Sequence, residues 1–279
     1  MSAIKSILLH LDASSRCAAR VEVAACLARQ HGAEVKGLYA VMPRALQFPL
    51  AESLSPELLQ RVRAANDGRR SIARGIFDKA FASGLPNARW LEPVEDLSLR
   101  DFSRQAHYAD LVVLGQREPG EEGRHGVPGD FVESVLVNSG RPVLVVPYIC
   151  AQASLGQVVM VAWKETRETA RAVAAAMPVL RKAERVHIAT WGKEQAVERR
   201  RVADLVAYLC QHGVEAALLH DYGDEPGNIG EYMLSLAADL NADLLVMGGY
   251  GHSRVREWVL GGATRTILES MTVPVLMSH

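Results

Sequence analysis

Residues 247–266 read MGGYGHSRVREWVLGGATRT, the stretch of the chain whose residue types and spacing point most directly to a chemistry. Gly248 and Gly251 enclose two residues, and nine more separate Gly251 from Gly261. Glycines let backbone N–H groups approach an anion with no Cβ in the way. A helix beginning around Gly262, Ala263 and Thr264 adds unpaired N–H donors and a partial positive charge. Thr264 and Thr266 offer hydroxyls, and Arg254, Arg256 and Arg265 offer charge-assisted bonds to a phosphate. His252 stands in the same loop, either touching phosphate or solvated. A plain glycine turn before a capped helix has the same composition. The strand-like ADLLVMG before the loop and the helix after it favour the anion site. No GK[ST] follows, so the stretch is not a P-loop.

The elements that must position this loop occur twice. ADLVVLG at 109–115 matches ADLLVMG at 242–248, and RPVLVVP at 141–147 matches VPVLMSH at 273–279. ILLHLDASS near residue 7 matches VVMVAWKET near residue 158. The first copy carries about twenty extra residues, which the prolines Pro43 and Pro49 and the helix start at Ser55-Pro56 place in Met42–Asn66. Each half reads as strand, helix, strand, long helix, short strand, helix, strand, loop, short helix, strand. The long helices are expected at Ser55–Ser83 and Lys193–Gly213. Continuous apolar runs such as LVVLG suit strands covered on both faces. Strands alternating with helices imply right-handed βαβ units and parallel sheets. The fold class expected is α/β, with two Rossmann-like domains, each a five-stranded parallel sheet flanked by helices. The domains are expected at 1–148 and 156–279.

The chain resembles the universal stress protein family, whose ATP-binding members carry G-x2-G-x9-G-[ST] at this place. Gly248, Gly251 and Gly261 match, while Gly262 replaces the expected Ser or Thr. The resemblance covers nearly the whole chain, twice. It implies ATP or a related adenine nucleotide as ligand, with Mg²⁺ as an optional companion of the nucleotide. It places adenine against the backbone at Thr190 and Trp191, with Met247 in the pocket wall. Family members often carry an Asp after the first strand. Asp12 matches it in the first half, but Lys164 stands there in the second, either pairing with phosphate or solvated. Trp163 either stacks on a base or packs in the core. The family pairs its domains along the last strand, which here implies intramolecular pairing; a homodimer is left open.

The first half has lost the loop. Gly115 matches Gly248 and Gly129 matches Gly261, but Glu118 replaces Gly251 and Asp130 replaces Gly262. Asp130 is expected to cap the following helix, occupying the donors a phosphate needs and repelling it. No conventional triphosphate site is therefore expected in 1–148, although Arg117, Arg124 and His125 leave a weaker site open.

The bulk numbers narrow the function classes. Net charge is −1, from 31 basic and 32 acidic residues, which argues against a nucleic-acid partner. No apolar run is long enough to span a membrane, and the first residues read as a strand rather than a signal peptide, so a cytoplasmic location is expected. Cys17, Cys26, Cys150 and Cys210 form no CxxC pair and suit a reducing compartment. The nine histidines lack HxxxH or HExxH spacing, and no metal or catalytic residue is assigned. Three readings stay open. They are stress-linked nucleotide sensing through the second domain, coupled to an unknown protein partner; a slow ATPase of the adenine nucleotide α-hydrolase class; and a nucleotide-free interaction protein or binder of another small ligand.

Overall fold

The computed structural model describes residues 3–41, 55–82, 87–92, 99–118, 126–149, 155–192, 196–222, 228–250 and 262–279. The expected apolar runs become strands whose side chains are almost wholly buried, and the chain divides into two compact units.

Ile4–Arg141 forms one unit. It runs β1 (Ser6–Leu11), α1 (Cys17–His31), β2 (Glu34–Tyr39), α2 (Pro56–Phe81), β3 (Ala88–Leu91), α3 (Leu99–Ala106), β4 (Leu111–Gly115) and α4 (Phe131–Asn138). Its strands lie in the order β3-β2-β1-β4, each pair of neighbours parallel. Gly32 ends α1 in the left-handed region (φ 62°), which a side chain would strain.

The other unit holds Met1–Ala3 and Pro142–His279. It contains β5 (Val143–Val146), β6 (Val158–Ala162), α5 (Arg167–Leu180), β7 (Arg185–Gly192), α6 (Ala196–Gln211), β8 (Ala217–Tyr222), α7 (Ile229–Asp239), β9 (Leu244–Gly248), α8 (Gly262–Ser270) and β10 (Val275–Ser278). Here β10-β9-β6-β7-β8 is the five-stranded parallel sheet expected of one repeat. The last strand of the first repeat, β5, belongs to this unit and pairs antiparallel with β10, Leu144 opposite Leu276. All four residues of both strands are buried, so each covers an apolar edge that would otherwise face water.

Sheet register fixes the repeat residue by residue. Ile7 pairs Leu111, and Val159 pairs Leu244. Position 7 therefore corresponds to 159, and 111 to 244. The extra residues of the first copy lie between β2 and β3. From Lys36 to its partner Arg89 is 53 positions, against 30 from His187 to its partner Ala217. They lengthen α2 to 26 residues against 16 for α6, and within α2 only Ala73 and Phe77 are buried.

The Asp of each ADLxVxG motif has a structural role. Asp110 accepts from the backbone N–H of Lys5 and Ser6 (2.9 and 3.0 Å). Asp243 accepts from Gly156, Gln157 and Val158 (2.9–3.1 Å). Each carboxylate thus collects amides at the start of the neighbouring first strand, at the opposite end from the glycines.

Candidate functional site

Both repeats bring the same positions together where the first and fourth strands end. In the second repeat these are Lys164 after β6, Thr190 and Trp191 in β7, and Met247 and Gly248 in β9. Ligands in open α/β sheets bind at this carboxyl edge. Met247 and Thr190 are buried, Trp191 and Trp163 half-buried, and Lys164 exposed. Trp191 meets Tyr232 of α7 edge-on, ring centres 6.3 Å apart.

Gly262 opens α8, and a Cβ there would meet nothing within 4 Å. Among the described residues nothing crowds that position. Ala263 is half-buried and Thr264 buried, its hydroxyl accepting from the Tyr250 amide at 3.4 Å. That bond ties the turn after β9 to the first turn of α8. Gly251, His252 and Gly261 lie outside the described residues, as do Arg254 and Arg256. Two other candidates turn away from the site. Arg265 pairs with Glu269 one helical turn on, at 2.8 Å. Thr266 packs against Gly230 of α7, whose added Cβ would come 2.6 Å from the Thr266 Cβ.

Gly248 has a reason of its own to be glycine. A Cβ there would lie 2.7 Å from the Thr169 backbone N and 3.0 Å from the Glu168 carbonyl carbon. The start of α5, capped by Thr166 accepting from Thr169 N at 3.3 Å, rests directly on this residue. Gly248→Ala must push a helix off a strand. It is expected to cost about 1–3 kcal/mol without any nucleotide present, read as a lowered thermal midpoint of the ligand-free chain. An unchanged midpoint would show that this close approach does not exist in solution.

The first repeat fills the corresponding edge with its own side chains. Arg20 reaches from α1 across β4, and a Cβ on Gly115 would sit 2.1 Å from its Nη1. Its Nη2 lies 2.9 Å from Asp12 Oδ2, an ion pair without an aligned hydrogen bond, and its Nε donates to the His10 carbonyl at 2.8 Å. Both charged side chains are almost fully buried. Burial works against the Asp12 charge. The Arg20 guanidinium, His10 and two bonds from Ser14 more than offset it and hold this carboxyl well below the usual carboxylate range.

His10 lies beside them, its ring 4.5 Å from that of Phe131 and 5.6 Å from that of Phe102. Its Nε2 contacts the Ala40 carbonyl at 2.9 Å, and since a carbonyl only accepts, Nε2 carries the proton. Burial first, then the Arg20 charge, lowers its pKa from 6.5 to about 4, against the opposing pull of Asp12 and the Ala40 carbonyl. The folded chain thus holds this imidazole neutral at pH values where the unfolded chain protonates it. Its contribution is complete above pH 6.5 and declines as pH falls toward 4, by about 3 kcal/mol in all. Denaturant titrations between pH 7 and 4.5 should show this decline, and His10→Gln should flatten it. An equal slope in both chains would rule it out.

Through the repeat register, His10 corresponds to Ala162, and the matching final strands carry Phe131 to Ala263. Counting on along the helices, Arg20 corresponds to Ala172. Three bulky buried side chains at the first edge are thus alanines at the second. Asp12 corresponds to Lys164 by the same register. Asp130 does not cap α4 as expected. Its φ −103° and ψ 17° differ from the extended backbone of Ser55, Thr166 and Asn228, each of which caps its helix, and its side chain makes no cap bond. The first edge is closed by Arg20, His10 and Phe131 rather than by a capping carboxylate. Arg124 and His125 lie outside the described residues.

Among the described residues no group of three or more His, Cys, Asp or Glu could hold a metal ion, and no helix is long and apolar enough to cross a membrane.

The profile of the Universal stress protein family matches residues 157–279. Universal stress protein Slr1230 of Synechocystis sp. is 25% identical, covering 98% of this chain and 99% of that protein. The fold is similar to a universal stress protein from Archaeoglobus fulgidus DSM 4304, with TM-score 0.73, 17% identity, and 97% and 94% of the two chains covered. It is also similar to a functionally unknown protein from Pseudomonas aeruginosa PAO1, with TM-score 0.60, 15% identity, and 98% and 92% covered. The second repeat, residues 157–279, thus matches the universal stress protein family, and the chain as a whole is similar in sequence to one of its members and in fold to another.

Proposed function

We propose that the protein is a tandem universal stress protein whose second repeat, 156–279, binds ATP or a related adenine nucleotide, and whose occupancy biases a surface read by a protein partner. The observation that carries this is the carboxyl edge of the second sheet, beside the start of α8 at Gly262, where the first repeat's His10, Arg20 and Phe131 give way to alanine. Backbone amides there receive phosphate. Lys164, exposed after β6, supplies a positive charge where the first repeat has a carboxylate. That cation lessens the need for Mg²⁺, which the nucleotide would bring with it. Thr190, Trp191 and Met247 form the adenine side, and Gly251, His252 and Gly261 complete the loop. The chain acts as a binder rather than as an enzyme, in the cytoplasm, with 1–148 as a domain that does not take a triphosphate. Mass spectrometry of small molecules released from the purified protein tests this. An adenine nucleotide at no more than one per chain supports it. Protein free of nucleotide that also gives no binding heat with added ATP ends it.

A further inference from the structure

The turn that leaves β9 is held from three elements. The Gly249 N–H donates to the Ser278 carbonyl at 2.9 Å, continuing the ladder that sets Ser278 beside Gly248. The Gly249 carbonyl lies 3.2 Å from Nδ1 of the His279 ring. A carbonyl only accepts, so Nδ1 carries the proton and donates it. Arg171 of α5 in turn donates from Nη1 to the His279 carbonyl at 2.8 Å. The next amide, that of Tyr250, donates to the Thr264 hydroxyl in the first turn of α8 at 3.4 Å. Tyr250 itself has φ 56°, in the left-handed region that a bulky side chain rarely adopts. Such a backbone persists only where its surroundings over-determine it. Among the described non-glycine residues only Asn241 also has a positive φ.

The first repeat lacks the side chains that make these ties. By the repeat register Gly249 corresponds to Gln116 and Tyr250 to Arg117, and Arg117 does not take a positive φ. His279 corresponds to Pro147, Arg171 to Ala19 and Thr264 to Val132. None of those three side chains can form a hydrogen bond. The repeat that keeps Gly251 and Gly261 thus also keeps three polar side chains on the root of the loop, and the repeat that has Glu118 at the first of those positions keeps none.

We propose that His279, steadied by Arg171, is a positioning residue for the nucleotide site: it fixes the Gly249 peptide and so holds the end of β9 at a set distance from the start of α8. The inference rests on the nucleotide reading of the second repeat. His279 acts through the backbone rather than on the ligand. Amides already in place when phosphate arrives spare the cost of ordering them on binding.

Two measurements on the full chain test this, in His279→Ala and His279→Asn: calorimetric titration with ATP, and amide hydrogen exchange without ligand. The Asn side chain carries an N–H close to where Nδ1 stands and restores the bond, whereas Ala has no donor. Melting curves confirm that each variant folds. In His279→Ala, exchange at Gly249 and Tyr250 should quicken about fivefold and ATP should bind about fivefold more weakly, the worth of one net hydrogen bond. In His279→Asn both should return to within about twofold of the natural chain. Unchanged exchange in His279→Ala shows that the tie does not form and overturns the proposal. Faster exchange with unchanged ATP affinity makes the tie structural only and overturns it equally, as does His279→Asn behaving like His279→Ala. A natural chain that binds no ATP ends the nucleotide reading and the positioning role with it. That failure is told apart from the others because exchange in the ligand-free chain still responds to His279→Ala.

Discussion

ATP binding is expected to vanish in the Gly261→Asp chain. Gly261 precedes the helix that opens at Gly262, where no described residue comes within 4 Å of an added Cβ. An Asp at 261 sets a Cβ and a negative charge in the path of a phosphate. Like charges brought together in a site cost several kcal/mol, and each 1.4 kcal/mol is tenfold in affinity. The expected loss is about a hundredfold or more by calorimetry. The reciprocal change, Asp130→Ala, should create no ATP site. Its carboxylate does not block α4, and removing it leaves His10, Arg20 and Phe131 in place. Tight ATP binding in the Asp130→Ala chain would mean that the acidic residue, not the filled edge, excludes nucleotide.

Arg20→Met should be the most destabilising single change in the first repeat. The guanidinium neutralises buried Asp12, fills the space above Gly115 and bonds the His10 carbonyl. Removing it strands a buried carboxylate, and breaking a buried pair from one side costs about 3–5 kcal/mol. The Asp12→Asn, Arg20→Met double variant should recover part of that loss, because no charge is then left unpaired. With Arg20 present, the Asp12 carboxyl stays ionised far into acid. Its contribution is complete above the ordinary carboxylate pKa of about 4 and is lost as pH falls further. Denaturant unfolding of the two variants at pH 7 and pH 3 checks both statements. Arg20→Met costing no more at pH 7 than at pH 3 would remove the ion pair from the account.

Much of this fold is legible from short runs of sequence. ADLVVLG and ADLLVMG become β4 and β9, and Ser55 before Pro56 caps α2 as its type predicts. These features depend on local chemistry and on burial of a whole strand. What one strand's residues do not reveal is which helix side chain lies over its end. Arg20 sits nine residues beyond the end of β1, and only the packing of α1 on β4 brings its guanidinium to Gly115. The trace of it in the sequence is a comparison rather than a motif: His10, Arg20 and Phe131 against Ala162, Ala172 and Ala263. Asp130 reads as a cap by residue type, but its backbone is not extended, a property set by the turn through Pro128 and Gly129. The glycine motif itself divides. Gly248 is required by the helix resting on it, whereas among the described residues no atom stands within 4 Å of a Cβ added at Gly262.

On the proposed function, one repeat admits a nucleotide because its side chains are small, and the other refuses it because its own fill the room. Equilibrium binding of ATP to saturation, in the natural chain and in the Ala263→Phe chain, measures that directly. One nucleotide per natural chain and none in the variant is the predicted result. Two per chain, or one that survives Ala263→Phe, would contradict it.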